Sequence, residues 1–407
     1  MASQAPQLHF VLFPLMAPGH LLPMTDLATI LAQHSNIVTV VTTPHNASRL
    51  SETFALQLQF PSQDAGLPEG CENFDMLPSM GMGLSFFLAA NNFLLEPAEK
   101  VFEELTPKPN CIISDVSLAY TAHIATKFNI PRISFYGLVT SNLLESIATD
   151  SDEFVDKMAA AEAVSYGVVV NSFKELEPAY AGDFKKTRND KVNQLDKAQR
   201  GNKASSDAHS CMKWLHLQKT NSVIYVCLGS ICNLIPLQER NQTQVLNKWS
   251  KESGFEEKTK GVGLLIRGWA PQVLILSHPA IGGFITHCGW NSTLEAICAS
   301  VPMLTWPLFG DQFFNEKFIV QVLRIGVRVG VESPVIWGDE EKSGVLVKKE
   351  DVVRAIEKLM DEGNEREEKR KRARDLAEMA KKAVEGGSSH FNVTQLIQDI
   401  MQQSNKN

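Results

Sequence analysis

Along the chain, short apolar runs alternate with longer stretches whose apolar positions recur every three to four residues. The first run, Leu8–Leu15, meets the turn residues APGH and then an apolar-periodic stretch from Leu21 to Ala32. That order predicts a buried strand, a tight turn and a helix. A second run, Ile37–Val41, is rich in β-branched residues and completes a βαβ unit, the start of a parallel sheet with helices on its faces. The same rhythm returns at Cys111–Ile113, just before Asp115, at Arg132–Phe135 and at Val168–Asn171.

A polar tract from Lys185 to His209 has few apolar residues and no period, and predicts a linker. Beyond it the strand pattern restarts at Ser222–Leu228 and continues at Val262–Ile266, Gly282–Ile285 and Pro302–Leu304. The segment Asp361–Glu385 mixes Lys, Arg and Glu, which predicts a solvated helix with i,i+4 pairs rather than a one-signed nucleic-acid patch. Gly386-Gly387 ends it, and Asn392–Met401 reads as a last helix. The predicted class is α/β: two similar halves joined by a polar linker.

Composition narrows the picture. At about 150 residues per domain, 407 residues suggest two to three domains. The chain is 44% hydrophobic and 21% charged, which excludes disorder, collagen and coiled coil as the main architecture. With 39 basic against 46 acidic residues, the net charge of −7 argues against nucleic acid or an anionic membrane as partner. It leaves room for a phosphate, which needs only a few oriented backbone N–H groups. Seven cysteines without a CxxC pair read as buried free thiols in a reducing compartment. The start, MASQAPQ, has no basic n-region, and the apolar run ending at Pro14 is too short for a membrane span. A cytoplasmic location is the expectation, so the sequons at Asn46, Asn241, Asn291 and Asn392 carry little weight.

The densest chemistry lies between Trp269 and Gln312. A strand near Gly283–Thr286 is followed by His287-Cys288-Gly289-Trp290-Asn291-Ser292-Thr293 and then by a helical pattern. A helix start after such a turn offers free N–H groups and the positive end of the helix dipole to a phosphate. His287 and Ser292 add side-chain donors, and Glu295 can accept from sugar hydroxyls. Taken singly, Asn291 and Ser292 read as helix caps, Trp269 as core and Asp311-Gln312 as a turn. Their joint occurrence in one window favours a site.

That window resembles the signature box of plant UDP-glycosyltransferases, the plant secondary product glycosyltransferase motif, from its opening Trp269 to its closing Gln312. MAPGHLLPM, CIISDVSLAY, SYGVVVNSFKELEP and VIYVCLGSICNL also resemble family segments, in the family's order, so the resemblance covers nearly the whole chain. It implies a GT-B architecture: two Rossmann-like domains facing a cleft, each a parallel sheet with helices on both faces. The expected division is an acceptor-binding domain at residues 1–200, a UDP-sugar-binding domain at 201–386, and a C-terminal helix at 387–407 packing back on the first.

By the same resemblance, Trp269 stacks on uracil, with Ala270 beside it and Gln272 near the uridine. His287, Asn291 and Ser292 hold the diphosphate with Ser230 as a neighbour, and Glu295 grips the ribose. Trp290, Asp311 and Gln312 contact the sugar, the closing glutamine being associated with glucose. His20, in the turn after the first strand, matches the family's general base, and Asp115, after a second strand, the carboxylate that orients it. The chemistry asks for such a pair, because an acceptor hydroxyl is a poor nucleophile until a base takes its proton. Without the resemblance, His20 reads first as a turn residue.

The implied reaction is an inverting transfer of glucose from UDP-glucose to a hydroxyl of a small hydrophobic plant metabolite: a flavonoid, triterpenoid, steroid or hormone. No metal or other cofactor is expected, and the partners are the UDP-sugar and the acceptor. Neither nucleic acid nor a membrane span enters, and the chain is expected as a monomer. The apolar stretches Ser85–Phe93 and Gly137–Leu144 are the expected acceptor wall. A nicotinamide-dependent oxidoreductase is disfavoured, since APGHLLPM and not GxGxxG follows the first strand.

Three stretches look shortened against the family: after Arg49, near Asp150–Ala163, and between Leu234 and Val262. In the third, a helix and a strand of the FIWV type are missing. Either Val262–Ile266 then slides over by one strand spacing, about 4.8 Å, or a gap opens in the sheet. Both outcomes make a shortened, catalytically impaired UDP-sugar-binding protein the alternative to an active enzyme.

Overall fold

The computed structural model describes residues 7–50, 55–137, 152–178, 207–230, 248–335, 347–361 and 363–405. Two compact units emerge, one drawn from Met1–Leu77, Gly81–Leu195 and Glu378–Asn407, the other from Pro78–Met80 and Asp196–Ala377. The linker expected at Lys185–His209 lies outside the described residues except for its last three, which begin the helix Asp207–His216.

The first unit is built on β1 (His9–Phe13), β2 (Ile37–Thr42), β3 (Ala55–Gln57), β4 (Cys111–Asp115), β5 (Arg132–Tyr136) and β6 (Gly167–Val170). They lie in the order β3-β2-β1-β4-β5-β6, and every pair is parallel. The order reverses between β1 and β4, the topological switch point where open α/β sheets place ligands beyond the strand ends. Continuous apolar runs are what such a sheet requires, since helices cover both of its faces. Phe10, Leu12, Cys111, Ile113, Ile133 and Phe135 form one core with Met24, Leu27 and Leu31 of α1 (Pro18–Gln33). Leu396 and Ile400 of the last helix, Ser388–Ser404, complete that core. Each fully buried side chain of this size contributes about 1.5–3 kcal/mol.

The second unit carries β7 (Val223–Cys227), β8 (Ile281–Thr286), β9 (Met303–Thr305) and β10 (Gly326–Arg328). All pairs are parallel, in the order β10-β9-β8-β7. The helix Asn364–Val384 forms in the predicted charged segment and lies on this unit through Arg370, whose guanidinium donates to Asn221 Oδ1 at 2.6 Å and to the Gly282 carbonyl at 3.0 Å.

One predicted strand does not form. Val262–Ile266 has no strand geometry, and Val262 and Leu264 are exposed. A parallel strand exists only by pairing, and β7 has no second neighbour among the described residues. Strand propensity in an unpaired segment is overridden by that lack of a ladder. In consequence β7 is half-exposed, with Val226 at 56%, while β8 and β9 are buried throughout. Of the stretch read as shortened between Leu234 and Val262, residues 234–247 lie outside the described residues, as do residues 51–54 after Arg49. No described helix is long and apolar enough to cross a membrane.

Candidate functional site

The predicted residues fall into two groups, one in each unit. In the first, β1 ends at Phe13 and the chain turns through Ala17 into α1, so that His20 sits in the first helical turn, 4% exposed. Asp115 is the last residue of β4, adjacent to β1 in the sheet, and is fully buried. His20 Nδ1 lies 2.6 Å from Asp115 Oδ2. The other carboxylate oxygen, Oδ1, accepts from the Ser117 backbone N–H at 2.9 Å. A carboxylate can only accept, so the proton of a neutral His20 sits on Nδ1 and the lone pair on Nε2. That is the tautomer a base needs.

Asn91 supports this turn. It lies on α2 (Gly83–Phe93), a helix otherwise dominated by apolar residues such as Phe86 and Phe87. Its Nδ2 donates to the Ser117 carbonyl at 2.9 Å and to the Phe87 carbonyl at 3.0 Å. Sequence reasoning missed Asn91 and Ser117; a single buried amide in an apolar helix was the available signal. Of the expected acceptor wall, α2 packs Phe86 and Phe87 into an aromatic cluster with Phe60, Phe74 and Phe154. The stretch Gly137–Leu144 lies outside the described residues from 138 onward.

In the second unit, Trp269 and Ala270 are half-buried and lead into α3 (Gln272–Leu276). Gln272 Nε2 donates to Glu295 Oε2 at 2.8 Å and to Ser292 Oγ at 3.1 Å. Three residues predicted for the uridine, ribose and diphosphate are thus in contact. Ser292 and Glu295 belong to α4 (Trp290–Cys298), whose N-cap is Gly289 with no side-chain cap bond. The capping role that Asn291 and Ser292 suggest on their own is therefore not the one they take: both lie inside the first turn. Its N–H groups point toward the loop between β8 and α4.

His287 stands in that loop. Its ring is wedged between Gly289 and Gly229, where an added Cβ on Gly229 would come within 2.6 Å of Nε2. Ser230, the next residue, is exposed. Because β7 and β8 are parallel neighbours, with Cys227 beside Thr286, the turns that follow them meet at this ring. Burial pushes the His287 imidazole down to about 4, a shift that the Cys227 main chain partly opposes. His287 is accordingly neutral at physiological pH.

Among the residues expected at the sugar, Trp290 is placed at the start of α4. Its indole is 3% exposed and packs on Phe318 at 6.1 Å, so the side chain is core, while its backbone N–H lies at the head of α4. Asp311 and Gln312 open α5 (Gln312–Lys317), both buried. Gln312 Oε1 accepts from the backbone N–H groups of Leu308 at 2.8 Å and Phe309 at 3.2 Å, which fixes the orientation of its amide. Among the described residues, no group of three His, Cys, Asp or Glu side chains gathers as a metal site would.

Known proteins carry the same pattern. Residues 194–333 match the family model described as UDP-glucoronosyl and UDP-glucosyl transferase. The chain is 47% identical to UDP-glycosyltransferase 73C12 of Barbarea vulgaris over 98% of both chains, in an alignment of 484 positions. It is 45% identical to UDP-glycosyltransferase 73C5 of Arabidopsis thaliana over 100% of this chain and 99% of that one. Its fold matches the crystal structure of Glycyrrhiza uralensis UGT73P12 complexed with glycyrrhetinic acid 3-O-monoglucuronide. There the TM-score is 0.81 and the identity 29%, over 98% of this chain and 97% of that one. Arabidopsis thaliana UGT89C1 complexed with UDP-L-rhamnose matches with a TM-score of 0.78 at 29% identity, over 98% and 100% of the two chains.

Proposed function

The chain belongs to the plant UDP-glycosyltransferases and is a GT-B enzyme that transfers a glycosyl group from a UDP-sugar to an acceptor; from that premise we propose that the sugar is glucose, the acceptor a hydroxyl of a small hydrophobic plant metabolite, and the base His20. The observation that carries the base assignment is the buried 2.6 Å contact of His20 Nδ1 with Asp115 Oδ2, which leaves Nε2 to receive the acceptor's proton. The alkoxide then attacks the anomeric carbon, the bond to UDP breaks, and the single displacement inverts that centre. Asp115 holds the tautomer and stabilises the imidazolium that forms.

The leaving UDP carries new charge, which the first turn of α4 meets with its backbone N–H groups. The closing Gln312, which the family resemblance associates with glucose, supports glucose as the sugar, and the Glycyrrhiza uralensis ligand serves as a model for the acceptor class.

A second reading, a shortened member that binds UDP-sugar but transfers poorly, is favoured by two observations. The alignment with the Barbarea vulgaris relative runs over 484 positions against the 407 residues of this chain. The segment Val262–Ile266, just before Trp269, also pairs with no strand among the described residues. A misplacement of about 1 Å at a reacting centre costs roughly 100-fold in rate. The test is UDP release from UDP-glucose with a panel of flavonols, sterols and triterpenoids, beside UDP titration and a His20→Ala control. Turnover at the level of full-length relatives, abolished in the control, overturns the second reading. Tight UDP binding with no transfer to any acceptor overturns the first.

A further inference from the structure

Asn315 lies on α5, one helical turn after Asp311, with 3% of its surface exposed. Its Nδ2 donates to Asp311 Oδ2 at 2.8 Å and to the carbonyl of Cys288 at 2.9 Å. Both partners can only accept, so the NH2 end must face them and each of its hydrogens has one acceptor. Cys288 is a non-glycine residue at φ +66°, a left-handed conformation that surrounding structure must hold. Its main chain is held at both ends: the N–H donates to Thr286 Oγ1 at 3.1 Å, and the carbonyl accepts from Asn315. Cys288 links His287 to the Gly289 cap of α4. One buried amide therefore ties the loop aimed at a diphosphate to the helix start that carries Asp311 and Gln312.

We infer that Asn315 is a positioning residue that sets the distance between the diphosphate loop and the sugar-contacting pair, and thereby the preference for one donor sugar over another. The inference rests on the proposed roles of those two elements. The physical reason is that Asp311, held by Asn315, cannot turn away from the sugar it faces without also releasing the Cys288 carbonyl. Without the amide, the loop retains its glycine-bounded histidine and the first-turn N–H groups, so the nucleotide part of the donor is still held. The sugar part loses its reference point.

The test compares dissociation constants for UDP, UDP-glucose and UDP-galactose in wild type, Asn315→Ala and Asn315→Asp, with folding checked by near-ultraviolet circular dichroism. In Asn315→Ala, UDP affinity stays within about threefold of wild type while the ratio of UDP-glucose to UDP-galactose affinity falls about tenfold. Asn315→Asp keeps the volume but sets a carboxylate against Asp311 and a carbonyl, and moves the ratio at least as far. If Asn315→Ala does not fold, Asn315→Asp carries the test alone. An unchanged ratio, or equal losses for all three ligands, overturns the inference while leaving the proposed function intact. A wild type that binds no UDP overturns both. Because the readout is binding, it holds whether or not the chain turns over.

Discussion

Gly289 and His287 stand so close that no side chain fits between them: a Cβ on Gly289 would overlap the imidazole Nε2. Gly229, at φ +91°, approaches the same ring, and a Cβ there would come within 2.6 Å of Nε2. The two glycines thus set the position of a neutral histidine at the mouth of α4. Gly289→Ala is expected to displace the ring and weaken UDP binding about tenfold, measured by calorimetry, with a smaller effect on thermal stability. Gly229→Ala adds backbone strain to the same displacement, so its melting temperature falls further. Wild-type UDP affinity in both variants would remove His287 from the nucleotide site.

The low value of His287 also makes stability depend on pH. Its folded value is about 4 against an ordinary 6.5, so between these the unfolded chain binds the proton and the folded one does not. Stability therefore rises with pH through that window and is lost as pH falls toward 4. At pH 5 this histidine alone removes about 2 kcal/mol relative to pH 7. Burial holds His9 below its ordinary value as well, adding a slope of the same sign. Urea midpoints measured from pH 7 to pH 5 should fall for wild type and fall less for His287→Gln. Parallel slopes for the two proteins would refute the assignment.

His20 and Asp115 yield a kinetic expectation. In Asp115→Asn the amide is free to donate to Nδ1, which moves the proton of the neutral ring to Nε2 and leaves the acceptor hydroxyl without a base. The loss in kcat should be about 10²–10⁴-fold, with UDP affinity unchanged. Steady-state rates with the best acceptor of the panel, together with UDP titration, separate the two effects. Asn91→Leu, two hydrogen bonds further from the histidine, should lower kcat less, because it loosens the Ser117 turn without removing the carboxylate.

Gln272 and Glu295 offer a double-mutant test of the nucleotide site. Each single change to alanine is expected to weaken UDP binding by about 1–2 kcal/mol. Because the residues share a 2.8 Å hydrogen bond, the double variant should lose less than the sum, with a coupling of about 0.5–3 kcal/mol. Strict additivity would mean that the contact plays no part in binding.

Most of the two sheets was legible in the chain itself. Runs such as Leu8–Leu15 and Ile37–Val41 became β1 and β2 because buried parallel strands need continuous apolar sequence, and the periodic stretch after APGH became α1. The candidate site was legible as a set of residue types, since His20, Asp115, Gln272, Ser292 and Glu295 stand at strand ends and helix starts in fixed order. Their contacts were not. Gln272 meets Glu295 only because α3 lies beside α4 in space, and Gly229 meets His287 only because β7 and β8 run parallel and bring their following turns together.

What the sequence by itself determined is therefore local: where strands and helices begin, and which polar side chains sit at their ends. Tertiary structure decided three things that local pattern does not contain. It left Val262–Ile266 outside the sheet: a strand is made by pairing, and this segment pairs with no strand among the described residues. It turned Trp290 into core, because α4 packs that face on Phe318. And it made Asn315 a bridge between two loops, because hydrogen bonds between distant segments depend on distance in space rather than along the chain.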